Sequence, residues 1–128
     1  MISYHAVKIL SRLICFLPHG AAMALGEALA RLLWIFVPRK RKALAQEQVR
    51  SSLGVSAAEA ERIARASTLR FGPMLMEVLR FPVMKGCMDD YVTITGAIDE
   101  VRLAIAAGRG AIFATSHSGN WELMGGAF

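Results

Sequence analysis

The sequence predicts an α/β fold: an N-terminal helical, membrane-associated region followed by the start of a βαβ sheet, which we expect to be incomplete. The first observation is that residues 1–50 are rich in apolar side chains and carry eight Lys or Arg against two Glu. The second is that residues 91–116 show strand, helix and strand patterns in that order, which is typical of parallel sheets. We therefore divide the chain into residues 1–42, the membrane-associating helices, and residues 43–128, the beginning of an α/β domain.

The composition indicates an apolar surface and a basic N-terminal end. The 128 residues are 55% hydrophobic with a mean hydropathy of +0.42, so we expect this surface to contact a membrane or another part of the protein. The net charge of +5 is concentrated early, because residues 51–128 hold seven basic and eight acidic side chains. This distribution favours an anionic surface as partner and argues against nucleic-acid binding. Cys15 and Cys87 lack metal-ligand or disulfide spacing, so we expect a reducing compartment, no metal and no cofactor.

Two helices are predicted in the first region. Residues 2–17 place apolar side chains at helical spacing opposite a basic face, and residues 18–37 are almost wholly apolar, broken by one glutamate and one arginine. The uncharged run from Leu13 to Gly26 makes only about 21 Å of helix, less than the roughly 30 Å hydrocarbon core of a bilayer. We therefore expect helices lying in the membrane interface, with a single short span and a buried helical hairpin as alternatives. No small-residue cleavage site follows, which argues against a cleavable signal peptide.

The segment PRKRK follows these helices and supplies a cluster of positive charge. Arg39, Lys40, Arg41 and Lys42 are predicted to contact a membrane or another anion. Each cation contributes about 1 kcal/mol against an anionic cytoplasmic leaflet. An excess of Lys and Arg also predicts that this segment faces the cytoplasm.

The middle of the chain carries helix start and stop signals. Gly54 is predicted to end the helix that follows PRKRK, and Ser56 with Glu59 forms a capping box that begins another. Gly72-Pro73 is predicted to break this second helix and to start a short one, which Pro82 terminates.

The last 40 or so residues carry the βαβ pattern. YVTIT, residues 91–95, is β-branched and alternating, a helix from Ile98 ends at Gly108, and residues 111–116 form a short apolar run typical of a buried parallel strand. His117 is then the first residue beyond the carboxyl end of a predicted strand, where ligands of α/β sheets bind.

His117 and Glu122 form the candidate catalytic pair, in the segment HSGNWE. Two residues five apart within one helix diverge by about 140°, so we place His117 in the loop and Glu122 in the first helical turn, from which it can reach back. A carboxylate bonded to one ring nitrogen leaves the other free to act as a general base. Backbone N–H groups near Ser118, Gly119 and Asn120 are candidates for binding substrate as an anion. Spacing alone also allows a structural histidine, and the segment lacks the G-x-S-x-G elbow of serine hydrolases.

GRGAIFATSHSGNWELMGG, residues 108–126, resembles the signature block of the lipid A biosynthesis lauroyl/myristoyl acyltransferases, a family that also includes phosphatidylinositol mannoside acyltransferases. Upstream, PRKRKALAQEQVRSSLGVS resembles the family's basic helix after its membrane anchor, and RIARASTLRFGPMLMEVLRFP resembles its R-x-F-G…E-hydrophobic-R-F-P stretch. Gln48 stands where relatives usually have asparagine. The glutamate of H-x4-E separates the chain from glycerolphosphate-type acyltransferases, which typically carry aspartate.

The resemblance implies an acyltransferase of lipid A (lipopolysaccharide) biosynthesis. His117 would deprotonate a glycolipid hydroxyl, oriented by Glu122, and the oxygen would attack the thioester of a fatty acid on acyl carrier protein. The membrane is the third partner, and the cytoplasmic face of the bacterial inner membrane is the expected location. Because family members are longer, we expect this chain to be an N-terminal portion that is inactive alone.

Two alternatives stay open at this point. The acceptor could instead be phosphatidylinositol mannoside or another glycolipid. The chain could also be a non-catalytic membrane-surface module in which HSGNWE is only a structural turn.

Overall fold

The computed structural model describes residues 2–96, 98–108, 110, 112, 114, 116 and 118–126. Its helices are α1 (Ile2–Cys15), α2 (His19–Phe36), α3 (Arg39–Leu53), α4 (Ala57–Met84), α5 (Ile98–Ala106) and α6 (Trp121–Gly126), with a 3₁₀ turn at Met88–Asp90. Residues 1–80 form one compact unit and residues 81–128 a second, and α4 runs from the first into the second.

The predicted start of a βαβ sheet is wrong. No residue in the described part of the chain lies in a strand, and both YVTIT and the described residues between 110 and 116 are irregular. A parallel strand needs a hydrogen-bonded neighbour and helices covering both faces. Neither condition is met among the residues that the structure describes, where Ile112 is fully exposed at 101% relative accessibility. The helix that was expected between the two strands does form, as α5, and Gly108 follows it with a positive φ of 69°.

The predicted start and stop signals around α3 and α4 are confirmed. Gly54 follows α3 with φ 65° and its N–H bonds to the Arg50 carbonyl, a left-handed cap that glycine adopts at little cost. Ser56 Oγ accepts a hydrogen bond of 3.2 Å from the Glu59 N–H at the beginning of α4. The Glu59 carboxylate also accepts hydrogen bonds from Arg62, and these lower the pKa of Glu59.

The predicted break at Gly72-Pro73 is wrong, because both residues lie inside α4, which is one helix of 28 residues. Pro73 removes one backbone hydrogen bond, which by itself would favour an interruption. Packing outweighs this loss: Met76 and Leu79, just beyond the proline, are buried in the core of the first unit with Ile14 of α1 and Ala22 of α2. Tertiary contacts therefore override the local preference. Pro82 likewise lies inside α4, which ends two residues later.

Helices α2 and α4 cross with their backbones in contact. Ala22, Gly26 and Ala30 form the buried stripe of α2 at four-residue spacing. A Cβ added to Gly26 would lie 2.7 Å from the carbonyl oxygen of Gly72, and one added to Gly72 would collide with the Gly26 carbonyl. Only glycine permits this approach at both positions.

Arg80 joins α4 to the end of α1. The residue is 5% exposed, and its guanidinium donates hydrogen bonds to the carbonyl oxygens of Ile14, at 3.0 Å, and Leu17. These carbonyls lie at and just after the end of α1, where helical carbonyls lack helical partners and the dipole is negative. Ser11 adds a second link, because its hydroxyl donates to the Leu79 carbonyl at 2.6 Å. The guanidinium of Arg80 therefore caps the C-terminal end of α1.

Across the described residues, no single helix is both long and apolar enough to cross a bilayer. Helices α2 and α3 taken together satisfy that length and composition criterion, but they are bent by 107° at the break between them.

Candidate active site and membrane face

Helix α6 positions the glutamate of HSGNWE. Gly119 has a φ of 63°, a left-handed conformation that turns the backbone just before the helix. Trp121 begins α6 and Glu122 lies in its first turn, as predicted, with an exposed side chain. Within the second unit, Leu123 is buried and Gly126 lies directly against the Phe81 ring, where a Cβ would collide. These contacts hold α6 while leaving Glu122 exposed.

The predicted partner of Glu122, His117, lies outside the described residues. Its pairing with Glu122 and its role as a base therefore stay predictions. Glu122 forms no ion pair with any residue of the described part. Glutamate in the first helical turn is also electrostatically favourable, because the N-terminal end of a helix is positive.

The residues predicted to bind substrate surround this turn. Ser118 is exposed, and its Oγ lies 2.6 Å from the Oγ of Ser116, a hydrogen-bond distance. Asn120 is half-buried beside α6. This contact brings the hydroxyl of Ser118, inside HSGNWE, together with that of Ser116, just before it, a pairing that the sequence analysis did not predict. The substrate role of Ser118, Gly119 and Asn120 stays a prediction.

The four predicted anion-contacting residues occupy the first turn of α3. Arg39, Lys40 and Arg41 are exposed, and Lys42 is half-buried. The Lys42 ammonium lies 4.7 Å from the centre of the Trp34 ring, a cation–π distance. None of the four pairs with a carboxylate among the described residues.

Sequence reasoning missed two features of the first unit. One is Arg80, whose burial and hydrogen bonds to the end of α1 are not visible in the sequence pattern. The other is the end of α2, whose apolar side chains are exposed. The sequence could not decide this, because an apolar run is compatible both with burial inside the protein and with an exposed surface. Within the described residues, no group of three or more His, Cys, Asp or Glu side chains could hold a metal ion.

Comparison with known proteins identifies the class to which these elements belong. The family model described as bacterial lipid A biosynthesis acyltransferase matches residues 1–128, so the chain belongs to that family. The resemblance noted in residues 108–126 is thereby confirmed.

Two curated relatives are phosphatidylinositol mannoside acyltransferases of Mycobacterium tuberculosis. The protein of strain CDC 1551 / Oshkosh is 36% identical over 86 residues, and that of strain ATCC 25618 / H37Rv is 35% identical over 86 residues. Each alignment covers 62% of this chain and 27% of the relative, so the match spans about a quarter of the relatives' length. No solved structure matches the chain.

Proposed function

We propose that this protein acts in acyl transfer, moving a fatty acyl chain from acyl carrier protein to a hydroxyl group of a glycolipid in lipid A biosynthesis. The observation that carries the proposal is the family match over residues 1–128, which includes the H-x4-E segment. The position of Glu122 in the first turn of α6 supports it, because a carboxylate there can reach back toward the preceding loop.

In the proposed reaction, His117 is the base and Glu122 its orienting partner. His117 takes the proton of the acceptor hydroxyl as the oxygen attacks the thioester carbonyl. The new ester C–O bond forms, the thioester C–S bond breaks, and the imidazolium returns the proton to the departing thiolate. Glu122 holds the imidazole in the tautomer that accepts a proton and stabilises its positive charge. The turn at Ser118, Gly119 and Asn120 is proposed to contact the substrate.

A specific observation favours a second acceptor. Both curated relatives are named phosphatidylinositol mannoside acyltransferases, which makes a phosphatidylinositol mannoside the alternative to a lipid A precursor. Both acceptors are glycolipids, so His117 and Glu122 would have the same roles with either one.

Membrane association is the second part of the proposal. We place the first unit against the cytoplasmic face of the bacterial inner membrane, with Arg39, Lys40, Arg41 and Lys42 contacting anionic head groups. The exposed cations of α3 and the exposed apolar side chains of α1 and α2 support this placement. A membrane-bound acceptor also requires an enzyme that reaches the bilayer surface.

Acyl transfer by substituted forms of the full-length protein tests the catalytic part. His117→Ala should reduce transfer from acyl carrier protein by about 10²–10⁴-fold, the usual contribution of a general base. Glu122→Gln should also reduce the rate, since a neutral amide cannot balance an imidazolium. Glu100→Gln, at an exposed acidic position on α5, is the matched control and should leave the rate unchanged.

The outcomes separate the candidate functions. Loss of transfer in His117→Ala with membrane binding retained supports the enzyme. Unchanged transfer would exclude His117 as the base, and no transfer by the unsubstituted protein alongside membrane binding would favour a non-catalytic membrane module. Parallel assays with a lipid A precursor and a phosphatidylinositol mannoside decide the acceptor.

A further inference from the structure

Helix α6 is too short to fix its own position. It has six residues, Trp121–Gly126, and isolated helices shorter than about 12 residues are marginal in water. Its position therefore depends on contacts with the rest of the second unit. Glu122, the carboxylate of the candidate pair, is exposed and forms no ion pair within the ranges that the structure describes. The location of this carboxylate is therefore set by where α6 lies.

The closest approach to α6 is made by the ring of Phe81 at Gly126. A Cβ added to Gly126 would lie 2.5 Å from Cζ of that ring, closer still to Cε2, and 3.3 Å from Cε of Met88. Gly125, the preceding residue of the same helix, has nothing within 4 Å of an added Cβ. The ring therefore lies against the backbone of α6 at one residue, and only glycine permits this distance there.

Phe81 belongs to a well-supported part of the second unit. Its carbonyl accepts a hydrogen bond of 2.9 Å from the Lys85 N–H, in the last turn of α4. Met84, three residues after Phe81, is fully buried. The Phe81 side chain is half-buried and has only two torsions, so its ring cannot fold aside as the longer side chain of Met88 can. The end of α4 is therefore a firm support for α6.

The supported residue lies on the same side of α6 as Glu122. Two residues four apart in a helix are separated by about 40° around the axis and about 6 Å along it. Around the axis, Gly126 falls between Glu122 and the buried Leu123. Glu122 is thus at the edge of the packed face, one turn from the Phe81 ring. A displacement of α6 at Gly126 therefore moves the carboxylate by a similar distance.

We propose that Phe81 is a positioning residue for acyl transfer: its ring, packed on the backbone of Gly126, sets the position of α6 and so the distance from Glu122 to the imidazole of His117. This inference rests on the function proposed above for Glu122 and His117. It adds the residue that keeps one member of the pair in place. Phe81 acts through α6 and is assigned no contact with substrate.

Gly126→Ala in the full-length protein is the first test. An ordinary Cβ contact begins near 3.4 Å, so the ring and α6 must separate by about 1 Å. A misplacement of this size costs up to about 10²-fold in rate. We expect kcat to fall about 10–100-fold, with KM for donor and acceptor within about twofold, because Glu122 stabilises charge that develops only in the transition state. Gly125→Ala, the matched control, should keep the kcat of the unsubstituted protein.

A compensating substitution tests the contact itself. Leucine lacks the Cε2 and Cζ atoms that the new Cβ would meet. Phe81→Leu alone should lower kcat about three- to tenfold, because α6 loses its support. Phe81→Leu combined with Gly126→Ala should nevertheless have a kcat at least about fivefold above that of Gly126→Ala, since the added methyl group fills space that the ring has left. A general loss of stability would instead make the two losses accumulate.

Trp121 fluorescence measures the displacement without an activity assay. Trp34→Phe leaves Trp121, the first residue of α6, as the single tryptophan. Trp121 is half-buried, so Gly126→Ala should change both its emission maximum and its quenching by acrylamide. Gly125→Ala should change neither. Circular dichroism checks that the helices of each variant are retained, and if Gly126→Ala alone does not fold, recovery of the fold by adding Phe81→Leu reports the same contact.

The Glu122→Gln background shows whether the effect passes through the carboxylate. There Gly126→Ala should lower kcat by less than about twofold further, because the charge that it misplaces is already absent. An undiminished effect in that background would overturn the inference, and so would a double variant no faster than Gly126→Ala. If Glu122→Gln is slow but Gly126→Ala behaves like Gly125→Ala, the inference fails while the proposed function stands. If Glu122→Gln itself leaves kcat unchanged, the proposed role of Glu122 fails and the inference fails with it.

Discussion

Replacing Gly26 with alanine should destabilise the first unit, although alanine is the better helix former. In an isolated helix the substitution would stabilise by about 0.5–1 kcal/mol. Here the new Cβ would lie 2.7 Å from the Gly72 carbonyl oxygen and 2.7 Å from Met76 Cγ. The methionine side chain can rotate away, but the carbonyl belongs to the backbone of α4 and cannot. The two helices must therefore move apart.

The cost follows from that separation. An ordinary Cβ contact begins near 3.4 Å, so α2 and α4 must separate by several tenths of an ångström. Overpacking of this kind costs about 1–3 kcal/mol, and the helical gain offsets only part of it. We expect a net loss of about 1–2 kcal/mol, which for a unit of this size lowers the Tm by about 5–15 °C.

Thermal unfolding followed by far-ultraviolet circular dichroism measures this loss, and the same helix supplies the control. Gly20 lies in α2 with nothing within 4 Å of an added Cβ, so Gly20→Ala should raise the Tm slightly. A fall in Tm for Gly26→Ala together with a rise for Gly20→Ala would show that α2 and α4 are in backbone contact at Gly26. If Gly26→Ala is as stable as Gly20→Ala, the close approach of α2 and α4 is not present in the molecule.

Three further predictions concern α4. Arg80→Met should destabilise the chain by about 2–3 kcal/mol in urea unfolding, because two carbonyls at the end of α1 lose charge-assisted hydrogen bonds. The control Arg65→Met, at an exposed position, should change stability by less than about 0.5 kcal/mol. Equal effects of the two substitutions would contradict the capping role of Arg80. Ser56→Ala should cost about 1 kcal/mol by the same measurement, since it removes the side-chain cap, and an unchanged midpoint would show that the cap is not formed. Glu59→Gln should flatten the acid limb of stability against pH: hydrogen bonds from Arg62 lower the pKa of Glu59 in the fold, so its contribution is complete above the ordinary glutamate pKa and is lost as the pH falls through the lowered value. An acid limb identical to that of the unsubstituted chain would refute the assignment.

Local chemistry explains which helix boundaries could be predicted. Gly54 adopts a left-handed cap because it lacks a Cβ, and Ser56 begins α4 because its hydroxyl accepts a backbone N–H. Glu122 falls in the first turn of α6 because Gly119 turns the chain just before it. Each signal depends on a few neighbouring residues, so it holds without knowledge of the rest of the fold.

The failed predictions concern long-range contacts. Gly72-Pro73 was expected to break a helix, but the burial of Met76 and Leu79 against α1 and α2 outweighs one missing hydrogen bond. YVTIT has the pattern of a strand, but a strand also needs a partner in register, and none pairs with it in the described part of the chain. Intrinsic preference for extended backbone does not by itself make a sheet.

The sequence by itself determined the family, the helix caps, the basic turn at residues 39–42 and the candidate pair in H-x4-E, because each depends on residue identity at short spacing. Only the tertiary structure decided that Gly26 and Gly72 bring two helices into backbone contact, that Arg80 caps α1, and that the end of α2 is uncovered. The physical reason is that a residue becomes buried only when a second surface packs against it. A residue's own chemistry states what it prefers to contact, and the packing of distant segments decides whether that contact is made.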